Sequence, residues 1–490
     1  MLLPVENCAE IATIFTSFAA LLLTSHVAEL ARRKKSDFTR SKAGKLPLNK
    51  LLVYIIFRNS KDTSSELSKF FSSIGENRKK PSRQAANKRL HRLNYNVWPY
   101  LSQEFAKLFY ASKTLVRTLK GYLVLAGDSS AIEMPYSPEA AALFGFHKSN
   151  HVKTASDSAK ILARCGGLYD VINHFYVDYC IKPFADSEIS ILKDQLKAFD
   201  SVLTHRKAII LGDRGYISLT IMALAQKLGY KFCIRAKRST YKAEVGRMNS
   251  DDENIQIKLQ RTVFSRITDP EALAYLANAT YFTVRVVKNY WTNPKTGARE
   301  LTIYFTNLPK DEFSASEIIS LYEKRWSIEL AYRTLKVVLE LERPVSLDPY
   351  IAVNTIYGKI MYYDFCAIFR EQLETLLPED DQRISKKSGK QRKKHKYPRQ
   401  ISAKNLVEQL YAENLAKCLF PDNDIHGLIQ DICIDLETML NKLSASIKKG
   451  RHYTRWGKRV TSSYRYKFSI DGRNHPKVAL VNGAMRTVRP

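Results

Sequence analysis

The amino-acid sequence predicts an α/β protein in which a mixed sheet, carrying a β-rich insertion, is flanked by helical regions on both sides. Three observations lead there. Helical spacing of apolar residues governs roughly the first 115 residues. From Gly121 the period shortens, and the order becomes three strands, then helix, strand, helix and strand. Beyond Ser314 helical spacing returns. The expected divisions are 1–115, helical; 116–345, the sheet, interrupted at about 240–310; and 346–490, mainly helical.

The apolar run Ile11 to Ala28 has the look of a secretory leader. Glu6 and Glu10 precede it, however, and the basic cluster Arg32 to Lys35 follows, which reverses a leader's charge order. It reads as an N-terminal packing helix. Leu48 to Arg58 and Ser64 to Ser72 extend the helical pattern. Ser82 is the expected N-cap of SRQAANKRLHRL, where Arg83, Lys88, Arg89 and Arg92 are interleaved with Ala85, Ala86, Leu90 and Leu93. Short helices, a polar turn and a basic amphipathic helix fit a helix-turn-helix-like DNA reader. An ordinary surface helix of a basic protein fits equally well.

Tyr122 to Ala126 reads as a buried strand ending at Asp128, and Lys160 to Leu168 and Asn173 to Lys182 as two more strands around a Gly-Gly turn. A helix over Ser187 to Leu203, a strand over Ala208 to Leu211 ending at Asp213, a helix over Ser218 to Leu228 and a strand over Lys231 to Ala236 follow. Within the insertion, Ala279 to Lys288 and Glu300 to Phe305 alternate as strands, joined by NYWTNPKTGAR. One helix is expected over Ser314 to Leu341. Residues 385–399 are dense in Lys and Arg and poor in apolar side chains, as a loop or linker would be, and the tail from Lys448 is basic and rich in Tyr.

With 78 Lys and Arg against 48 Asp and Glu, the chain carries a formal charge of +30 over 490 residues. Such a surplus calls for a polyanionic partner, and nucleic acid fits best, since neutralising phosphates releases counterions. A hydrophobic content of 45% excludes a disordered basic tail. The seven cysteines are scattered without a CxxC pair, which argues for reduced thiols and against a zinc finger or disulfide scaffold. No run reads as a membrane span.

Asp128, in LAGDSSAI, and Asp213, in ILGDRGYIS, each follow an apolar run and lie beside glycine. Taken singly, each reads as a turn or capping residue. In LYEKRWSIELAYRTLK, residues Tyr322, Arg325, Glu329 and Lys336 are spaced by 3, 4 and 7. On a helix that spacing brings all four within an arc of roughly 60°. A solvated helix laced by ion pairs would show the same charges. Taken together, Asp128, Asp213 and Glu329 supply three hard oxygen ligands suited to Mg²⁺ or Mn²⁺. Arg325 and Lys336 are then placed to hold phosphates beside them.

These residues resemble the DDE transposases of bacterial insertion sequences, in the group marked by a Tyr-Arg-Glu-Lys signature. The likeness rests on the Asp128 motif, the DRGY of Asp213 to Tyr216, and Tyr322, Arg325, Glu329 and Lys336; it spans about Leu46 to Leu341. The intervals of 85 and 116 residues between the three acids agree with it. The resemblance implies an RNase H-like fold whose β-rich insertion is residues 240–310. It implies two Mg²⁺ (or Mn²⁺) ions per active site held by Asp128, Asp213 and Glu329. It further implies a homodimer on double-stranded DNA, acting at terminal inverted repeats and target DNA, in the cytoplasm at the nucleoid. The reaction would be cut-and-paste: nicking, hairpin formation and resolution, and strand transfer. On this reading Trp291 stacks on a flipped base at the hairpin, Tyr322 meets that nucleotide's phosphate, and Arg214 is a further DNA contact. Trp326, about 100° from Arg325 on the helix, reads as packing. His151 and His205 read as structural or DNA-contacting.

Two rivals remain at this stage. A domesticated, non-catalytic DNA-binding descendant would often have lost one of the three acids, and all are present here. An RNase H-like nuclease is disfavoured by the long insertion and by the signature spacing.

Overall fold

A computed structural model describes residues 4–39, 45–58, 62–147, 160–203, 206–267, 269–293, 296–341, 346–380, 397–412, 415–446, 477–481 and 484–488. His151, His205, residues 385–396 and most of the Tyr-rich tail lie outside them. The chain begins with helices α1 (Val5–Leu21), α2 (Leu48–Ile56), α3 (Thr63–Ser73), α4 (Arg83–Arg92) and α5 (Val97–Ala111). Side-chain caps start α3 and α4: Asp62 accepts from the Ser65 amide, and Ser82, as anticipated, from the Ala85 amide.

Nine strands follow: β1 (Leu123–Glu133), β2 (Phe146–His147), β3 (Lys160–Asp170), β4 (Phe175–Pro183), β5 (Ala208–Gly212), β6 (Lys231–Ala236), β7 (Asp252–Lys258), β8 (Tyr281–Thr292) and β9 (Arg299–Thr306). They form one sheet in the order β2-β3-β1-β5-β6-β9-β8-β7, with β4 also paired to β3. Strands β4, β3 and β1 are antiparallel neighbours, while β1, β5 and β6 run parallel. This succession is the mixed sheet the sequence predicts. The insertion strands β7 to β9 lengthen that sheet, because β9 pairs antiparallel with β6 from Cys233–Thr306 to Ala236–Ile303.

Helices α6 (Glu188–Val202) and α7 (Leu219–Lys227) serve as the crossovers to β5 and β6. After β9 come α8 (Ala315–Glu323), α9 (Trp326–Val337), the long α10 (Pro349–Asp380) and α11 (Ile425–Thr438). Phe365 of α10 joins both ends of the chain in one core. Its ring centroid lies 5.2 and 5.5 Å from Phe15 and Phe18 of α1 and 4.7 Å from Phe105 of α5. Each such buried ring contributes about 1.5–3 kcal/mol by leaving water. The cysteines are free thiols, and all but Cys180 are buried. Among the described residues no helix is long and apolar enough to cross a membrane.

Three local expectations need correction. The Gly166-Gly167 pair lies inside β3 and not in a turn. A Cβ on Gly166 would stand 2.5 Å from Ile191, and one on Gly167 would stand 2.7 Å from the Tyr176 ring and 2.9 Å from the Tyr332 hydroxyl. The glycines therefore admit close packing on both faces of the strand. The turn falls at Val171–His174, where Asp170 Oδ1 accepts from the Ile172 and Asn173 amides. Second, Asp128 does not end its strand; antiparallel pairing with β3 carries β1 on to Glu133. Third, the helix expected over Ser314 to Leu341 is two helices with a joint at Lys324 and Arg325.

Candidate active site

Strands β1 and β5 and helix α9 converge where the parallel pairing of β1 and β5 stops. Asp128 lies two residues beyond Ala126, the last residue of β1 in register with β5. Its Oδ1 accepts from the Ser129 amide at 2.8 Å. Burial pushes the Asp128 carboxyl up to about 7. The charges of Asp213 and Glu329 act in the same direction, against the Ser129 amide and Arg325. Asp213 follows β5 directly, and its Oδ1 accepts from the Gly215 amide at 2.7 Å. A Cβ at Gly215 would crowd that oxygen at 3.0 Å, so glycine keeps the approach open. Arg214 is exposed beside it.

The joint between α8 and α9 is tightened into i→i+3 bonds. The Arg325 amide donates to the Tyr322 carbonyl at 3.0 Å and the Ile328 amide to the Arg325 carbonyl at 3.2 Å. This turn breaks the single helical ridge expected of Tyr322, Arg325, Glu329 and Lys336. Tyr322 and Arg325 are only 5% and 6% exposed. The Tyr322 ring lies 4.9 Å from that of Tyr304 on β9, which positions it under the Arg325 guanidinium at 5.7 Å. Arg325 Nη2 donates to Glu329 Oε1 at 2.8 Å, while its Nε is buried without a hydrogen-bond partner. In this arrangement Tyr322 braces Arg325, and Arg325 aims Glu329.

Helix α9 is docked by two more side chains on Glu329's face. The Tyr332 hydroxyl lies 3.1 Å from the Asp128 carbonyl and 3.0 Å from the Cys165 carbonyl. Lys336 Nζ donates to the Ala131 carbonyl at 2.7 Å, so this lysine is anchored on β1. Trp326, expected to pack, is instead 57% exposed, with the Arg325 guanidinium 5.4 Å from its ring. The sharp turn after Arg325 swings the indole outward.

The remaining sequence candidates lie elsewhere. Trp291, in β8 near the hairpin end, is 38% exposed, and its Nε1 donates to Thr302 Oγ1 at 3.2 Å. Arg83, Lys88 and Arg92 on α4 are exposed, with Arg83 3.8 Å from Asp62 and Arg92 3.7 Å from Asp37. Arg89 is partly buried over the Phe38 ring at 5.1 Å.

Sequence reasoning missed Tyr332, which docks α9 on β1, and the Arg164–Glu188 ion pair next to Ser129. Tyr332 was findable from its spacing of 3 from Glu329 and 4 from Lys336. Arg164 and Glu188 meet across β3 and α6 and leave no local signal.

Two carboxylates, Asp213 and Glu329, beside a buried aspartate whose proton is held chiefly by burial make a donor set suited to a divalent cation. Among the described residues, the trio whose ligand atoms all lie within 4.8 Å of one another is a different one, His174, Glu371 and Glu374. Arg117 Nη1 stands 3.1 Å from Glu371 and Arg370 Nε 3.1 Å from Glu374. Those guanidiniums pair with both acids, so that trio reads as an ion-pair network tying the β3–β4 turn to α10.

Residues 120–363 match the family model of the transposase DDE domain. A segment of 59 residues is 36% identical to the putative transposase InsL for insertion sequence element IS186A of Escherichia coli, and likewise to the transposase for insertion sequence element IS421 of Escherichia coli. That segment is 12% of this chain and 16% of the length of either relative. Among solved structures, a piggyBac transposase synaptic complex with hairpin DNA aligns over 88% of this chain and 82% of its own, at 11% identity and a TM-score of 0.35. By the domain match and the bacterial relatives, with the acids placed as described, the chain belongs to the DDE transposases of insertion sequences.

Proposed function

We propose that this protein carries out cut-and-paste transposition of an insertion sequence. The observation that carries the reading is the Arg325–Glu329 pair standing beside Asp128 and Asp213. Asp128, Asp213 and Glu329 are the residues that would hold two Mg²⁺ or Mn²⁺ ions. When bound, such ions activate a water or hydroxyl and stabilise a leaving phosphate oxygen. The protein's own part is placement. The buried guanidinium of Arg325 holds Glu329 in place, and Lys336 adds positive charge near β1.

On this reading the chain binds the element's terminal inverted repeats as a homodimer, nicks the DNA, and lets the freed 3′-hydroxyl attack the opposite strand. The resulting hairpin is reopened before the end joins target DNA. The exposed Trp291 indole is available to stack on a base flipped out there. The succession of α3, a short turn and α4 presents Arg83, Lys88 and Arg92 for repeat recognition. The site of action is the bacterial cytoplasm, at the nucleoid.

The test is incubation with Mg²⁺ and a duplex carrying the element's terminal repeat. End-specific nicks and hairpins that disappear in Glu329→Gln are expected. Binding with no cleavage in the unaltered protein would overturn the reading.

A further inference from the structure

Glu188 opens α6, within reach of Ser129 on β1, and nothing in the three-carboxylate scheme employs it. Its two oxygens have different surroundings. Oε1 takes the Arg164 guanidinium at 2.5 Å and the Ser129 hydroxyl, the residue next to Asp128. Arg164 is itself held firmly: its Nη1 donates to Ser129 Oγ at 2.9 Å, its Nη2 to the Phe184 carbonyl at 3.0 Å, and its guanidinium stacks 4.4 Å from the Phe184 ring. Oε2 turns the other way. A Cβ placed on Gly215 would stand 3.8 Å from Glu188 Oε2 and 3.0 Å from Asp213 Oδ1, so both carboxylates border the space beside this glycine.

Two anions bordering one space repel each other at a cost that grows as water is excluded. Tyr216 is buried, and its hydroxyl is pushed up by that burial and further by the charges of Asp128, Glu188 and Asp213.

We propose that Glu188 is a fourth acidic group of the active site, whose Oε2 receives a water of the cation held by Asp213, with Arg164 and Ser129 fixing its orientation. The proposal rests on the transposase reading above. In it Glu188 is a positioning residue, and Gly215 is glycine because the gap must stay open.

Manganese binding to the full-length chain, followed by titration calorimetry or electron paramagnetic resonance without DNA, tests this. Glu188→Gln keeps the shape and should raise the Mn²⁺ dissociation constant about 10-fold to 100-fold, the usual effect of losing an outer-shell partner. Gly215→Ala, which puts a methyl into the gap without touching Arg164, should weaken binding in the same direction. A purely structural Glu188 would lower the metal-free melting temperature and leave Mn²⁺ affinity within twofold, and that result overturns the proposal. Asp128→Asn is the reference. If it binds Mn²⁺ as the unaltered protein does, the three-carboxylate reading fails and takes this inference with it. If it loses binding while Glu188→Gln and Gly215→Ala retain it, only this inference fails.

Discussion

The Tyr332 hydroxyl reaches across from α9 to the main-chain carbonyl of Asp128, 3.1 Å away, and to that of Cys165, 3.0 Å away. One side chain thereby sets the spacing between the helix that bears Glu329 and the strand that bears Asp128. Removing the hydroxyl in Tyr332→Phe should cost about 1–3 kcal/mol, because a buried hydrogen bond is lost with the ring retained. Denaturant unfolding measures it, and an unchanged midpoint would refute the docking role. Strand nicking should fall by more than the stability loss accounts for, since Glu329 is left less well placed.

Arg325 is a buried, fork-shaped donor set against the rings of Tyr322 and Trp326, not a flexible surface cation. Arg325→Lys should therefore fail to restore function, although it keeps the charge. Nicking is expected to drop on the order of 10²-fold, the scale of losing one aligned donor at a charged transition state. Near-normal single-turnover nicking by Arg325→Lys would show that only charge matters there.

Asp128 carries the pH prediction. Unfolded, an aspartate titrates near pH 3.9; folded, burial raises Asp128 to about 7. Between those values the folded chain holds a proton that the unfolded chain has released, so the metal-free protein loses stability as pH rises from about 4 to about 7, then levels off. Asp128→Asn has no such charge to bury. Melting temperatures in chelator-containing buffer should differ least near pH 4 and most near pH 8, with the variant higher. Parallel curves would mean that Asp128 is not desolvated.

Much of this was legible in the sequence, and the parts that were not share a cause. The strand–helix alternation, the Ser82 cap and the acids after apolar runs are local signals, written within a few residues. The joint at Lys324 and Arg325 is not local. It is imposed by packing of Tyr322 on Tyr304, a residue of the insertion 18 positions earlier in the chain. Gly166 and Gly167 misled because glycine marks both turns and close contacts, and only the neighbouring Ile191, Tyr176 and Tyr332 distinguish the two. Glu188 carries no local signal, because Arg164 and Gly215, its neighbours in space, are 24 and 27 residues away.

The glycine pair yields its own test. Gly167→Ala would bring a methyl to 2.7 Å from the Tyr176 ring and 2.9 Å from the Tyr332 hydroxyl. Either ring must shift, at a cost of about 1–3 kcal/mol for overpacking. The shift also loosens the Tyr332 contact with Asp128. Combining Gly167→Ala with Tyr332→Phe should thus cost less than the sum of the two singles, since the residues touch. Strict additivity in the double-mutant cycle would rule out their coupling.

Helix α4 separates DNA contact from structural support within one basic run. Lys88 is exposed, whereas Arg89 is partly buried over Phe38 and its guanidinium is held below its usual pKa by that burial. If α4 reads DNA, Lys88→Ala should weaken binding uniformly across sequences and reduce the magnitude of the salt slope by about 1, the signature of one lost phosphate contact. Arg89→Ala should instead lower the melting temperature through lost packing, with its salt slope nearly intact. Binding curves at several salt concentrations distinguish these outcomes. A Lys88→Ala protein with an unaltered slope would return α4 to the status of an ordinary surface helix, and repeat recognition would then have to come from another part of the chain.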